Sequence, residues 1–226
     1  MIKKRLLSYE LSTSLRLTHW LRAVSIVVLI MSGFYLAYVF VTPGHSNEPI
    51  LFLNAKVRMW HIIAGFLLIC VTIFKIYLIF TDKYSIRERV SFLDFINPKI
   101  WFYQIRYYLF LGKHPELKGI YNPLQFATYV FLYSMVILIA LTGLILYMHV
   151  YHHGLGGYLY DILRPVEAWM GGLAMVRQIH HLAMWPIIIF TVVHVYMAVF
   201  NSVMGRDGSI DTIISGYRFY KPEKKH

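Results

Sequence analysis

Histidines set inside apolar runs are the residues of this chain whose type and spacing could do chemistry. The sequence has 226 residues and 11 histidines, and one stretch, RQIHHLAMWPIIIFTVVHVYMAVF at residues 177–200, holds three of them. A membrane interior tolerates an imidazole when it is paired or put to use. His180 and His194 are 14 residues apart. At roughly 100° per residue they fall within about 40° of whole turns, and at about 1.5 Å per residue they stand about 21 Å apart along a helix axis. Two imidazoles on one face, near opposite membrane surfaces, suit two flat cofactors that each take a second imidazole from elsewhere. His181 falls about 140° from His194 by the same arithmetic and is the weaker candidate. Pro186 removes one helical hydrogen bond between them and is expected to kink the segment.

Two further apolar runs open on a histidine, His19 in RLTHW and His61 in RMWHIIAG. Arg16, Arg58 and Arg177 each precede a candidate ligand by three residues, on the same helix side. A guanidinium at a membrane boundary can pair as a fork with a carboxylate such as a haem propionate. Thr191 holds that place before His194, so the pattern fails there. Gly33, Gly65 and Gly143 lie inside three of the runs, where a missing side chain lets either a flat ring or another helix come close. His149, His152 and His153 form an H-x-x-H-H cluster with metal-binding potential. With no carboxylate or cysteine close in sequence, they read better as solvated polar tips. The single cysteine, Cys70, excludes an internal disulfide, a cysteine metal site and covalent haem attachment, and reads as packing.

The elements that must position these groups are membrane spans. The chain is 58% hydrophobic and 15% charged, against about a quarter charged for a soluble domain. Four apolar stretches exceed the roughly 18 residues of a span: 18–41, 57–80, 124–149 and 178–201. The expected fold is all-α, an integral membrane four-helix bundle forming a single domain over residues 1–226, with the first span retained rather than cleaved as a signal. The formal charge of +11 then sets topology and lipid contact rather than nucleic-acid binding. Basic residues crowd the lead through Arg22 and the connection 81–122. The connections 42–58 and 150–177 hold two each. The positive-inside rule places both termini and the middle connection in the cytoplasm. FLDFINPKIWFYQIRYYLF, at 92–110, reads as an interfacial helix on that leaflet. Lys75, near the inner end of the second span, can snorkel to headgroups. The glycine-rich outer connection reads as a docking surface, and the tail from Gly205 as polar and cytoplasmic.

This topology sorts the histidines by depth into His19 with His194 near the inner surface and His61 with His180 near the outer. Each couple can supply two neutral imidazoles to the axial positions of a non-covalent haem b, since no thiolate competes. The expected metal ligands are therefore His19, His61, His180 and His194.

On RLTHW at 16–20, RMWHIIAG at 58–65 and RQIHHLAMWPIIIFTVVHVY at 177–196, the chain resembles the di-haem cytochrome b subunit of membrane-bound respiratory nickel-iron hydrogenases. That family is related to the gamma subunits of formate dehydrogenases, and the resemblance covers nearly the whole length. It implies that the four histidines bind two haem b groups and that the chain sits in the bacterial inner membrane. It further implies that the outer haem takes electrons from an iron-sulfur cluster of the hydrogenase small subunit, itself bound to the large subunit, and that the inner haem passes them to menaquinone or ubiquinone. The small subunit's transmembrane helix would pack on the cytochrome. His114 and Tyr196 are the candidates for a quinone site by the inner haem. The chain is then an electron-transfer subunit of a quinone-reducing hydrogenase complex, which leaves open whether it is itself an enzyme and whether two complexes pair. The alternatives are a gamma subunit of a formate dehydrogenase or other quinone-linked oxidoreductase, a stand-alone cytochrome of the b561 type, and a haem-free histidine-bearing transporter or proton channel.

Overall fold

The computed structural model describes residues 6–38, 52–109, 111, 115–200, 202–203 and 209–220. Four helices are long and apolar enough to cross a membrane: α1 (Thr13–Tyr38), α2 (Leu53–Thr81), α5 (Pro123–Met148) and α7 (Leu173–Phe200). They match the four expected spans to within a few residues, residues 39–41 of the first lying outside the described ones. A helix is what such a sequence must form in lipid, because it satisfies every backbone polar group within the segment. The chain is thus all-α in its membrane part and multi-pass. α7 continues through Pro186.

Local signals set the helix starts. Ser12 accepts the amide of Leu15 at the head of α1. At α5, Asn122 and Gln125 cap each other reciprocally: the Gln125 amide donates to Asn122 Oδ1 at 2.9 Å and the Asn122 amide to Gln125 Oε1 at 3.2 Å. The aromatic segment expected as one interfacial helix is two, α3 (Ile86–Phe95) and α4 (Pro98–Tyr108). Pro98 cannot donate to a continuing helix, and Asn97 instead caps a new one by accepting the Lys99 amide at 3.0 Å. The glycine-rich connection between α5 and α7 is likewise ordered: α6 (Leu155–Trp169) occupies most of it. Gly171 and Gly172, at φ +93° and +85°, turn the chain from α6 into α7 in a conformation other residues resist.

The chain divides into two compact units, and each long helix contributes a stretch to both. The first comprises residues 1–20, 72–131 and 191–226. Within it, β1 (Leu6–Tyr9) pairs antiparallel with β2 (Tyr217–Tyr220), in the register Leu6 to Tyr220 and Tyr9 to Tyr217. The short helix α8 (Ser209–Ser215) precedes β2. The tail is therefore tied to the chain's beginning where a polar extension was expected. Asp94 and Ser91 of α3 fasten the approach to α5, accepting the amides of Lys118, Gly119, Ile120 and Tyr121.

The second unit comprises residues 21–71 and 132–190. Leu68, Val136 and Ile187 form its buried centre, with Ile26, Leu29, Leu132, Met135 and Ile139 packed around them, so all four long helices meet there. A second cluster, Ile145, Met148, Leu163 and Val176, joins α6 to the end of α5 and the start of α7.

Two expectations about single residues fail. Lys75 does not snorkel: it is 8% exposed and its Nζ lies 2.8 and 3.2 Å from the two carboxylate oxygens of Glu88 on α3. A cation with a carboxylate supplied inside the protein has no need to reach the headgroups. Cys70 is exposed rather than packed.

Candidate functional site

The four histidines meet in two couples. In the first unit His19 of α1 faces His194 of α7, with ring centroids 6.2 Å apart and planes at 52°. In the second, His61 of α2 faces His180 of α7 at 6.4 Å and 65°. All four are half-buried, whereas His181 is exposed.

That spacing discriminates between chemistries. Rings this far apart are not hydrogen-bonded to each other, and a room-filling apolar contact would not leave four imidazoles in matched couples. Imidazole nitrogens bind first-row metals at about 2.0 Å, and the centre of a ring with bonds of about 1.33 Å lies about 1.1 Å behind each nitrogen. Two imidazoles on opposite sides of one metal would therefore have centroids about 6.2 Å apart. Both couples match this value. The donor set, neutral nitrogen with no thiolate, is the one that suits a b-type haem iron.

The second couple carries its own tautomer control. Nδ1 of His61 lies 2.9 Å from Ser32 Oγ, and Nδ1 of His180 lies 2.9 Å from Thr142 Oγ1. Each hydroxyl donates its proton to its own helix, Ser32 to the carbonyl of Val28 at 2.6 Å and Thr142 to that of Leu138 at 2.8 Å. The hydroxyl can then only accept from the ring, which puts the hydrogen on Nδ1 and leaves Nε2 bare and able to bind a metal. The sequence reading missed both residues. The signal was present as Ser32-Gly33 and Thr142-Gly143: in each dipeptide the hydroxyl grips the imidazole while the glycine makes room for it. A Cβ added at Gly33 would sit 3.4 Å from His61 Cε1, and one at Gly143 would sit 3.3 Å from His180 Cε1. Gly65, by contrast, faces Leu29 at 4.0 Å and serves the contact between α1 and α2.

The expected propionate arginines differ in their surroundings. Arg58 and Arg177 are exposed, one turn before His61 and His180. Arg16 already donates from Nη1 to the carbonyl of Ile214 at 2.6 Å and from Nη2 to Thr13 Oγ1 at 3.0 Å, while its Nε is buried without a hydrogen-bond partner. Together with Trp20, whose indole donates to Ile213 at 3.2 Å, it takes up carbonyls at the end of α8. Tyr196 is exposed on α7. His114 lies outside the described residues.

The H-x-x-H-H cluster does not act together. His149 Nε2 lies 2.7 Å from Glu167 Oε2, a carboxylate that sequence distance had hidden, whereas His152 and His153 are exposed. Arg164 binds the other oxygen of Glu167 at 2.7 Å. Burial works to raise the pKa of Glu167, but hydrogen bonds from His149 and Arg164 outweigh it, and the carboxyl titrates below its usual range. Hydrogen bonding to Glu167 in turn raises the pKa of Arg164. No group of three or more metal-ligating side chains of this kind stands together among the described residues.

A family model described as prokaryotic cytochrome b561 matches residues 10–216. The chain is 31% identical over 231 residues to a probable Ni/Fe-hydrogenase B-type cytochrome subunit of Azotobacter vinelandii, covering 99% of this chain and 93% of the relative. It is 31% identical over 226 residues to a probable Ni/Fe-hydrogenase 1 B-type cytochrome subunit of Escherichia coli K12, covering 94% and 91%. A probable Ni/Fe-hydrogenase B-type cytochrome subunit of Rhodobacter capsulatus is 26% identical, with 99% and 86% covered.

Proposed function

Because the chain belongs to the prokaryotic cytochrome b561 family, we propose that it is the membrane cytochrome b of a nickel-iron hydrogenase, passing electrons from an iron-sulfur partner subunit through two haem b groups to quinone. The observation that supports this reading is the centroid spacing of the two histidine couples, 6.2 and 6.4 Å, which leaves room for one metal ion between each couple. The names of the relatives, each a hydrogenase cytochrome subunit, support the choice of partner.

Haem iron, when bound, supplies one-electron redox chemistry at a potential set by its ligands and surroundings. The chain's own residues supply the rest. His19 with His194, and His61 with His180, would supply the nitrogens that hold the iron. Ser32 and Thr142 would keep the protons of His61 and His180 on Nδ1. Arg58 and Arg177 would pair with the propionates at the His61 and His180 couple. At the other couple Arg16 spends one N–H of each Nη on Ile214 and Thr13, and its Nε is buried without a partner. The mainly apolar spans keep water and stray protons away from both. Tyr196, just beyond His194, and His114 are the groups proposed for the quinone end.

The distribution of Lys and Arg supports an inner-membrane topology with both termini in the cytoplasm, so that electrons enter at the periplasmic end. Each electron moving inward against 100 mV then stores about 2.3 kcal/mol. The test is a pyridine haemochrome assay on the purified complex with its subunits identified. Two haem b per chain, co-isolated with a hydrogenase, is the expected result. His19→Ala and His194→Ala should each remove the same haem, and His61→Ala and His180→Ala the other. One haem per chain overturns the pairing, and recovery of a molybdenum enzyme instead overturns the partner.

A further inference from the structure

Helix α6 has three faces where a helix lying on a water-exposed bundle end would have two. At about 100° per residue, its buried residues Gly156, Leu163 and Glu167 share an arc of about 40°. Asp161 and Arg164 lie on a second arc, centred about 110° away. Leu155, Tyr158, Ile162 and Trp169 occupy a third, within about 60° of one another and about 120° from both other faces. Each of these four is between 49% and 87% exposed.

The packing says where this third face stands. Leu163 sits in one cluster with Ile145 and Met148, in the last turn of α5, and with Val176, in the first turn of α7. Both helices are spans, so α6 is held at the level where two membrane crossings end. Its connections allow little departure: six residues separate Met148 from Leu155, and three separate Trp169 from Leu173. Glu167, held at 2.7 Å by Arg164 of the same helix, fixes rotation about the helix axis through its 2.7 Å bond to His149 just beyond α5. With one face on the bundle and the charged arc toward water, the remaining face is turned to the membrane.

We propose that α6 is a membrane-surface helix whose Leu155, Tyr158, Ile162 and Trp169 are seated in the headgroup and upper acyl layer of the bilayer, with Glu167 as the residue that aims them there. The occupant is lipid rather than protein because the stripe is uncharged, stands at the span ends and carries a Tyr and a Trp, the residues whose amphipathic rings partition to that layer. The water-side arc holds one charge of each sign, so the seating owes little to anionic headgroups and is insensitive to salt. This inference is independent of the electron-transfer reading.

The test uses the intact complex in phospholipid nanodiscs, on a Cys70→Ser background. Tyr158→Cys and Ile162→Cys should react with a membrane-impermeant maleimide at least about tenfold more slowly than Asp161→Cys, since the reacting thiolate needs water. A benzophenone amino acid at position 162 should, on irradiation, yield phospholipid adducts by mass spectrometry. Equal labelling at all three positions overturns the proposal, as does a benzophenone adduct to a partner polypeptide or to a second copy of this chain. Glu167→Gln should raise labelling at 162 toward that at 161; unchanged protection there would remove Glu167 from the aiming role while the adduct still decides the seat.

Discussion

Removing the two hydroxyls behind His61 and His180 tests the site at its most specific point. In Ser32→Ala or Thr142→Val one imidazole keeps its Nδ1 hydrogen but loses the oxygen 2.9 Å away. An N–H left without a partner in such a place costs about 1–3 kcal/mol, and the effect should be smaller for His180, whose ring also has the Ile139 backbone to bond. The cost falls on the loaded form, because an unligated ring is free to turn and find another partner. At RT this is a loss of about 5- to 150-fold in affinity for one of the two haems, in line with the roughly 10- to 100-fold attached to groups that orient metal ligands. The assay is the rate at which haem transfers from the detergent-solubilised complex to an apo-globin acceptor. Two phases are expected, with the same one accelerated in both variants. Ser25→Ala is the control: it too is buried on α1 in the second unit and donates only to its own helix, at Leu21. Ser32→Ala and Thr142→Val releasing haem no faster than Ser25→Ala would refute the tautomer argument.

Three further outcomes follow from contacts in the same structure. Gly143→Ala should lower haem content, because its Cβ would stand 3.3 Å from His180 Cε1, whereas Gly65→Ala, with 4.0 Å to Leu29, should leave the spectrum unchanged. Lys75→Met should destabilise the chain by about 1–3 kcal/mol by leaving the half-buried Glu88 without its cation, and adding Glu88→Leu should restore most of that in thermal unfolding. Glu167, whose folded pKa is depressed, stabilises the α5–α6 junction fully above the ordinary carboxylate range. That stability is lost as pH falls below it and through the folded pKa. Proteolysis within residues 150–172 should therefore speed up under acid in the native chain and show no such pH step in Glu167→Gln.

Composition and spacing alone determined the four spans, the membrane class and which histidines stand inside the spans. The reason is local: hydropathy over about 20 residues decides whether a segment crosses lipid, and an imidazole inside such a segment is conspicuous wherever the helix packs. Caps such as Asn122 with Gln125, and breaks such as Asn97-Pro98, were also written in nearby residues, although both went unread. Only the tertiary structure decided the rest. The 6.2 and 6.4 Å separations depend on how α1, α2 and α7 approach, and no spacing rule encodes that. Ser32 and His61 are 29 residues apart, Thr142 and His180 are 38, and His149 and Glu167 are 18. Lys75 read as a snorkelling cation until α3 folded back to bring Glu88 against it. A side chain's partners are set by which helix faces meet, and that is a property of the packed chain rather than of any one segment of it.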